Sequence, residues 1–436
     1  MKMDDMVLVS IDDHVIEPPD AFVPHMPTKF KSRTPFVENM DGVDCWNVDG
    51  RRFFLGGLNA VAGRPRDEYG VEPAAFSHLR RSSFDLAARL DDMNANGVLA
   101  SMCFPSVMGF GGGMPGEFQD REYALALVRA YNDWHVHDWA GGKGRGRFIP
   151  LGILPMWDID LAVEEAKRLA GLGVHAVAIP DNPAFKGTLP SIHTGHWDPL
   201  WKVCADNAVI LCTHIGSGAS PPFTTLDQEA TGWMATIGMA TALPAVDWLF
   251  SPIWKKFPTL KLALSEANIG WIPHLLERSD FAYEHHRAWT KSDFGNELPS
   301  DVFRRHFIVC FIDDKYGIKN RHELGLQNIT WECDFPHSDC TWPHSPETLW
   351  ESVKGIPDNE IDMITHLNAI REFNFDPIGA LGRENFTVAA LRKAAAHIDT
   401  SPTRGLGGVK PVGARGPVTI GEIQGAFAKQ KKGVAA

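Results

Sequence analysis

Side chains of the kinds that bind metal ions stand at the ends of four apolar runs in this sequence. They are Asp12 and His14, which share one run, and His214, Glu266 and Asp334. In an extended strand, residues i and i+2 project to the same side, so Asp12 and His14 could reach one ion. A histidine nitrogen with carboxylate oxygens suits zinc, with manganese and iron as alternatives. With His214 and Asp334 added, the pattern predicts one divalent metal ion with room left for water or substrate.

Each of these residues has a plainer interpretation when it is considered alone. A histidine at a strand end, such as His214, is commonly a hydrogen-bonded structural residue, and Asp13 and Glu17 suit helix caps or loops. The metal site is favoured because ligand-type residues recur at the same end of several strands.

The elements that must position these residues are eight short, β-rich apolar runs that alternate with helical patterns. The runs are residues 7–11, 97–104, 148–153, 174–179, 208–213, 260–264, 307–311 and 329–333. This alternation indicates βα units around a parallel sheet, and eight units are the number that a closed barrel needs. An open, doubly wound sheet would use fewer strands and a Gly-rich first turn. We therefore predict an α/β protein with a (β/α)8 TIM barrel, in which catalytic groups lie at the C-terminal ends of the strands.

Three segments lie outside the barrel pattern. Residues 44–54 and 56–81 form an insertion after strand one, with Asp49-Gly50 as a hairpin turn. Residues 346–397 are helical in pattern and form a C-terminal extension. From residue 400 onwards, 11 residues are Gly or Pro, six are Lys or Arg and one is acidic. We predict a barrel with its helical extension over residues 1–399 and a basic tail over residues 400–436. A flexible basic tail could lie on the acidic body of a second copy of the chain, so we expect a homodimer.

The composition limits the classes of partner. The chain has 436 residues, with 42 Lys or Arg against 54 Asp or Glu and a net charge of −12. This acidic balance argues against nucleic acid or an anionic membrane surface as the main partner. No stretch of about 20 apolar residues is present, and the acidic N-terminus lacks the apolar core of a signal peptide. Seven cysteines without paired spacing indicate reduced thiols, so we expect a cytoplasmic protein.

Four motifs resemble those of the amidohydrolase superfamily, in the branch that includes aminocarboxymuconate-semialdehyde decarboxylase. They are residues 10–19 (SIDDHVIEPP), 211–216 (LCTHIG), 264–273 (LSEANIGWIP) and 331–337 (WECDFPH), and the resemblance runs from about residue 7 to about residue 390. It implies a (β/α)8 barrel that binds a metal through Asp12, His14, His214 and Asp334. It also implies a small-molecule substrate or a modified peptide, because members of the superfamily act on both.

The sequence departs from the family pattern at two positions. The first motif is usually His-x-His or Glu-x-His, and here it is Asp12-x-His14, with a shorter and harder first ligand. The decarboxylases of the family carry a His-Gly pair after strand six, where this chain has Glu266 and Ala267. Strand four also contains no lysine, which binuclear members carbamylate to bridge two metals, so we predict a single metal ion.

The resemblance and the residues together predict a hydrolase of an amide, imide or other C–N bond. The metal would activate a water molecule to attack a carbonyl, Asp334 would pass its proton to the leaving group, and His214 or Glu266 would polarise or orient the carbonyl. The alternative is a carboxy-lyase, a non-oxidative decarboxylase of an aromatic or unsaturated acid, in which a protonated acid would deliver the proton to carbon. A third interpretation is a non-catalytic barrel that serves as a binding protein.

Five further residues near predicted strand ends are candidates to contact the substrate: His337, Trp271, Arg304, Asn182 and Phe104. Packing or exposure in a loop is an equally good interpretation for each. Residues 109–116 (GFGGGMPG) lack the Gly-Lys-Ser/Thr end of a phosphate-binding loop. We interpret this segment as a mobile loop over the barrel mouth.

Overall fold

The fold consists of a closed parallel barrel with an added small sheet and a helical C-terminal region. A computed structural model describes residues 1–55, 57–70, 75–185, 187, 189–218, 221–379, 382–406 and 416–431. Its strands, in chain order, are β1 (Val9–Val15), β2 (Phe36–Met40), β3 (Val43–Val48), β4 (Arg51–Phe54), β5 (Ala100–Pro105), β6 (Phe148–Ile149), β7 (Gly152–Ile153), β8 (Ala176–Ala178), β9 (Ile210–His214), β10 (Leu262–Ser265), β11 (Phe307–Phe311) and β12 (Ile329–Trp331).

The strands other than β2–β4 close into the predicted (β/α)8 barrel. β6 and β7 are two halves of one barrel strand, because β6 pairs with β5 and β7 pairs with β8. From β8 to β12, each strand pairs with the next one in the chain. β1 lies between β12 and β5 and pairs with both, which closes the barrel. Every one of these pairs is parallel. All eight strands are buried along their length, which explains why they read as continuous apolar runs in the sequence.

Helices cover the outside of the barrel and form its C-terminal extension. They are α1 (Leu86–Asn96), α2 (Arg121–Trp134), α3 (Ile159–Gly171), α4 (Asp198–Asp206), α5 (Ala230–Met234), α6 (Ala242–Leu249), α7 (Ile253–Lys256), α8 (Ile272–Thr290), α9 (Pro299–His306), α10 (Lys315–Lys319), α11 (Arg321–Leu324), α12 (Ser345–Val353), α13 (Asp358–Asp362), α14 (Asn368–Glu372), α15 (Val388–Ala394) and α16 (Ile420–Lys431). None of the described helices is both long enough and apolar enough to cross a membrane.

Local sequence signals set the ends of the helices that precede the site strands. The Asp85 carboxylate accepts a hydrogen bond from the Ala88 amide, 2.9 Å away, and so caps the start of α1. Gly97 ends the same helix in the left-handed conformation, with φ +78°. A Cβ at Gly97 would lie 2.9 Å from Val388 Cγ1, so glycine also permits α15 to pack closely here. The chain then enters β5 within three residues.

The insertion after β1 contains a three-stranded antiparallel sheet, β2–β3–β4. Its second turn is the predicted Asp49-Gly50 pair, with φ +52° and +81°. Positive φ at both central positions is the type I′ geometry that a two-residue hairpin favours. Six residues of this sheet or of the segment just after it line the cavity described below: Trp46, Arg51, Arg52, Phe53, Phe54 and Leu55.

The described parts of the C-terminal tail lie on the barrel of the same chain. The Arg404 guanidinium pairs with Asp67 and Glu68 of the insertion. Further on, the Ala230 amide donates to the carbonyl of Val418 at 2.8 Å, and the Gly421 amide donates to Leu226 at 2.7 Å. These bonds fix the start of α16 beside α5. Homodimer formation through the tail, which the sequence analysis predicts, remains a prediction.

Candidate metal centre

Three of the four predicted metal ligands meet inside the barrel at the C-terminal ends of its strands. Asp12 and His14 lie within β1 and His214 ends β9, and all three are buried. The Nε2 atoms of His14 and His214 are 3.0 Å apart. Asp12 Oδ1 lies 3.6 Å from His14 Nε2, and Asp12 Oδ2 lies 3.6 Å from His214 Nε2. The strand therefore continues past the predicted end at Ile11 and carries both ligands on one side.

The fourth predicted ligand, Asp334, joins this group from the segment after β12. Its Oδ1 lies 3.5 Å from His14 Nε2. The Asp334 amide donates to the carbonyl of Asp12 at 2.9 Å, and the His14 amide donates to Phe335 at 2.7 Å, so the two segments are tied side by side. Asp334 has a φ of +59°, which is unfavourable for a residue with a Cβ. Strain of this kind at a cluster of polar residues is common at functional sites.

The acceptor atoms of these side chains are arranged to bind a divalent cation. Within the described residues, neither carboxylate oxygen of Asp12 or Asp334 has a hydrogen-bond partner, although both residues are buried. His214 Nδ1 donates to the Ile215 carbonyl at 2.7 Å, which leaves the Nε2 lone pair directed at the group. Ligands about 2.1 Å from one ion in tetrahedral geometry lie about 3.4 Å apart, close to the separations found here.

The electrostatics of the site also fit a cation. Burial lowers the pKa of His214 to about 3, and burial together with the neighbouring His337 and His214 lowers that of His14, so both imidazoles are neutral. Burial and the nearby carboxyl groups raise the pKa of Asp12 and Asp334 well above their usual values. Neutral histidines beside carboxylates that repel one another form a ligand set whose charge a divalent ion compensates.

Glu266 also reaches the site, from the turn after β10. Its Oε2 lies 3.2 Å from His214 Nε2, and its side chain keeps 16% of its surface exposed while His214 is fully enclosed. Its φ is +54°, a second strained position beside the ligands. Burial, and next Asp334, raise the pKa of this carboxyl well above its usual value. Glu266 is therefore the least enclosed acid of this group.

A further acid, Glu332, lies beneath the ligands and was not among the sequence predictions. Its Oε2 accepts hydrogen bonds from the Glu266 amide at 3.1 Å and from the Cys310 thiol at 2.5 Å. Asp12, Cys310 and Glu332 are close enough together to suggest a second metal group. However, sulfur and oxygen ligands of one tetrahedral zinc ion would lie about 3.6 Å apart, so Cys310 and Glu332 are too close to share one. Glu332 stands two residues before Asp334 in the sequence, and this spacing could have identified it as a residue of the site.

Asp13 lies on the opposite side of β1 and has a structural environment. Its carboxylate accepts hydrogen bonds from Ser10 Oγ at 3.0 Å, Ser101 Oγ at 2.5 Å and the Phe335 amide at 3.1 Å. The buried Arg89 guanidinium lies 3.7 Å from it. Arg89 also donates to the His14 carbonyl at 2.5 Å, so it fixes the backbone of a metal ligand.

The structure brings two of the predicted substrate residues next to the ligands and a third to the adjoining cavity. His337 Nδ1 lies 2.9 Å from Asp334 Oδ1, and its ring stacks on His14 with centroids 3.6 Å apart. The Phe104 ring lies 5.1 Å from that of His214. Asn182 follows β8 and lines the cavity.

Arg304 is not brought to the site, which corrects the expectation from the sequence, whereas the role of Trp271 remains a prediction. Arg304 lies on α9, just before β11, and so at the N-terminal end of the barrel. Its guanidinium donates to the Glu323 carbonyl at 2.9 Å and to Ser300 Oγ at 3.3 Å. Trp271 precedes α8, and its indole donates to the Ala267 carbonyl at 2.7 Å. Trp271 is not among the described residues that line the cavity.

A cavity of about 1520 Å³ opens above the barrel mouth. This exceeds the range of about 300–1,000 Å³ that is usual for small-molecule sites. Its walls come from the insertion, the loop after β5, the loops after β7, β8 and β9, and the C-terminal segment. They include the residues Trp46, Arg51, Arg52, Phe110, Arg121, Trp157, Asn182, Phe223, Trp233, Ile420, Ile423 and Gln424.

The chain belongs to the amidohydrolase family, whose profile matches residues 45–375. Members of this family bind a divalent metal ion. No curated protein matches the chain.

Solved structures similar to this chain include proteins named as amidohydrolases and proteins named as decarboxylases. An amidohydrolase of Mycobacterium avium subsp. paratuberculosis K-10 is 20% identical, with a TM-score of 0.62, over 84% of this chain and 99% of that one. The 5-carboxyvanillate decarboxylase of Sphingomonas paucimobilis is 20% identical, with a TM-score of 0.57, over 85% and 99%. A dihydroxybenzoic acid decarboxylase of Polaromonas sp. JS666, with bound manganese and an inhibitor, is 17% identical, with a TM-score of 0.52, over 84% and 97%. At these identities the likeness establishes the fold.

Proposed function

We propose that this protein is a mononuclear metal-dependent hydrolase that cleaves an amide, imide or other C–N bond. The observation that supports hydrolysis is Glu266, whose Oε2 lies 3.2 Å from His214 Nε2 and whose side chain is 16% exposed. The decarboxylases that the sequence resembles carry a histidine at this point of the chain. A carboxyl group here changes the charge that a substrate meets.

The charge of the substrate is the physical reason for this choice. Asp12, Asp334, Glu266 and Glu332 bring up to four negative charges to the surroundings of one divalent ion. A substrate carboxylate would add another, and two like charges about 4 Å apart repel by about 4 kcal/mol at an effective dielectric constant of about 20. An amide or imide carbonyl is neutral and avoids this repulsion. The two positive charges of the ion and the raised pKa values of these acids offset part of this repulsion, and the remainder supports a neutral reacting group.

Asp12, His14, His214 and Asp334 are the residues that would hold the metal. A divalent cation supplies Lewis acidity, which makes a carbonyl more electrophilic and a water molecule more acidic. Asp334 Oδ2 has no hydrogen-bond partner among the described residues, so it can accept a proton from water and deliver it to the leaving nitrogen. Glu266 would orient the substrate from the open side. His214, fixed through its Nδ1 bond to Ile215, keeps Nε2 available for the metal.

Non-oxidative decarboxylation of an aromatic or unsaturated acid is the second candidate function. It is favoured by the structural similarity to 5-carboxyvanillate and dihydroxybenzoic acid decarboxylases. Arg51, Arg52 and Arg121 among the cavity walls could hold a carboxylate at a distance from the acids. In this reaction a protonated Asp334 or Glu266 would deliver a proton to the substrate carbon as CO2 leaves.

Metal analysis tests the catalytic proposal against the third interpretation, a non-catalytic barrel. After purification, exposure to metals and dialysis, we expect about one zinc, manganese or iron ion per chain in the folded protein. The His214→Ala variant should fold but lose the ion. His193→Ala is the matched control, since His193 is half-exposed and pairs with Asp247 at 2.7 Å on the surface. Folded protein without metal would contradict both enzyme proposals.

The reaction class is decided by a substrate panel on the metal-loaded protein. Amides, lactams and imides would be followed by the amine or acid that they release. Aromatic and unsaturated carboxylic acids would be followed by CO2 release. Turnover of the first set alone supports the hydrolase, and CO2 release alone establishes the second candidate in its place. The homodimer and the cytoplasmic location expected from the sequence remain predictions.

A further inference from the structure

Phe110 separates the large cavity from the metal ligands. Its ring lies in the loop after β5, with its centroid 4.4 Å from that of His214, 4.8 Å from His14 and 5.7 Å from His337. Phe110 lines the cavity, whereas none of the four ligands does so in the described part of the chain. A molecule in the cavity therefore meets the Phe110 ring before it meets the ligand atoms.

Glycines on both sides hold Phe110 in this place. A Cβ at Gly111 would lie 2.8 Å from the Pro180 nitrogen, and one at Gly112 would lie 2.7 Å from Ile153 Cβ. The backbone thus passes directly against the ends of two barrel strands, an approach that only glycine permits. Gly109 and Gly112 also have φ values of +78° and +67°. The Gly-rich sequence is explained by this close approach.

The Phe110 ring does not belong to the described hydrophobic core. The core includes the neighbouring residues Met108 and Met114 of the same loop, but Phe110 packs on imidazole rings and is only half-buried. Rotation of its side chain would expose the ligands without opening the core. An aromatic ring above a cluster of ring side chains also offers a flat face to a flat partner.

We propose that Phe110 is a specificity-determining residue of the metal centre. A substrate reaches the ligands when the ring turns aside, and the ring then lies along the reacting group. Flat groups, in which an aromatic or conjugated system is attached to the carbonyl, are accepted, and branched groups are excluded. This inference rests on the proposed metal-dependent function and names the substrate class for it.

Metal-binding probes test this without knowledge of the substrate. The protein would be loaded with cobalt, and its visible spectrum titrated with benzohydroxamate, which is flat, and with pivalohydroxamate, which is branched. We expect the protein to bind the flat probe about tenfold more tightly, and Phe110→Ala to lose most of this preference by gaining affinity for the branched probe. Removal of cobalt by EDTA should also be about tenfold faster in Phe110→Ala, because the ligands are uncovered.

Phe36→Ala is the matched control, since Phe36 is exposed on β2 and is not among the described residues that line the cavity. It should behave as the unchanged protein. If Phe110→Ala does not fold, Phe110→Leu keeps the apolar contact, lacks the flat face and should shift the preference in the same direction. An unchanged preference and EDTA rate in cobalt-loaded variants would overturn the role of Phe110 alone. Failure of the unchanged protein to bind cobalt would overturn the metal centre, and this inference with it.

Discussion

The imidazole of His337 stacks on that of His14, with ring centroids 3.6 Å apart and planes 21° from parallel. The same side chain places Nδ1 2.9 Å from Asp334 Oδ1. His337 thus contacts a ligand from β1 and a ligand from the segment after β12. It adds a side-chain contact between two segments that backbone hydrogen bonds already tie side by side.

Replacement of His337 should weaken metal binding. Removing a side chain that orients metal ligands typically lowers affinity by about 10–100-fold, and we expect this for His337→Ala. His337→Phe keeps a ring for stacking and lacks Nδ1, so it separates the two contacts. Affinity would be measured by competition with a chromogenic chelator. His344→Ala, at an exposed position nearby, should bind metal normally. Equal affinities in all variants would show that His337 does not position the ligands.

Glu266→Gln should retain the metal and lose activity. The amide keeps the size of the side chain but presents an NH2 donor where the carboxyl group would orient the substrate, and a misplaced substrate typically lowers the rate by about 10²-fold. The turnover number would be measured on whichever substrate the panel identifies, alongside the metal content. Glu284→Gln changes an exposed acid of α8 and should leave turnover unchanged. Full turnover in Glu266→Gln would remove this residue from the proposed mechanism.

The metal-free protein should lose thermal stability as the pH rises. Burial raises the pKa of Glu332 and of Glu17 from 4.5 to about 7. An acid whose pKa is raised on folding favours the native state at low pH, and this contribution is lost between the unfolded value and about pH 7. Below about pH 6.5 the buried neutral histidines, such as His214, act in the opposite direction, because they are protonated only in the unfolded chain. The Tm of the metal-free protein should therefore fall between about pH 6.5 and pH 8.

Added metal should raise the Tm more at pH 8 than at pH 5, because protons compete with the ion for the carboxylates. In the metal-free protein, Glu332→Gln should flatten the pH dependence. Glu351→Gln, at an exposed position paired with Lys354, should not. A Tm of the metal-free protein that increased over this range would contradict the electrostatic description of the site.

Arg89→Met should destabilise the fold strongly. Arg89 is 1% exposed, donates to Ser82 and His14 carbonyls and lies opposite the buried Asp13. Removing one partner of a buried ion pair typically costs about 3–5 kcal/mol, since the other charge is left without compensation. Arg81→Ala removes an exposed pair with Asp85 and should cost less than about 0.5 kcal/mol. Urea unfolding would measure both, and similar values would contradict the importance of the buried pair.

The barrel was predictable from sequence because each of its strands is buried on both faces. A strand that is buried on both faces is a continuous apolar run in the sequence, as residues 307–311 are, so it can be recognised without knowledge of the strands beside it. The end of β1 rested on a different argument. Asp12, Asp13 and His14 are polar, and the extended conformation expected for them is stable because Arg89 and Ser101 satisfy Asp13 while Asp12 and His14 face the site.

The candidate site was predictable in part. His14, His214 and Asp334 stand at strand ends, so the topology alone brings them together. The position of Phe110 beside the ligands could not be predicted from the sequence, because it depends on how closely the backbone at Gly111 approaches Pro180 in three dimensions. The prediction for Arg304 was wrong because Arg304 precedes its barrel strand, whereas the other candidates lie within or after theirs. A residue that precedes a barrel strand lies at the end opposite the site.

The docked start of α16 has a practical consequence for how the protein is made. Ile420, Ile423 and Gln424 form part of the cavity wall, so a tag joined to the C-terminal segment would be tethered to that wall through α16. The imidazoles of a polyhistidine tag would bind metal ions themselves and would distort the stoichiometry measured for the candidate metal centre. A permanent tag before Met1 would instead break the pair between its ammonium group and Asp358, 2.7 Å away. Metal titrations therefore call for a removable tag, and for spectra recorded after its cleavage.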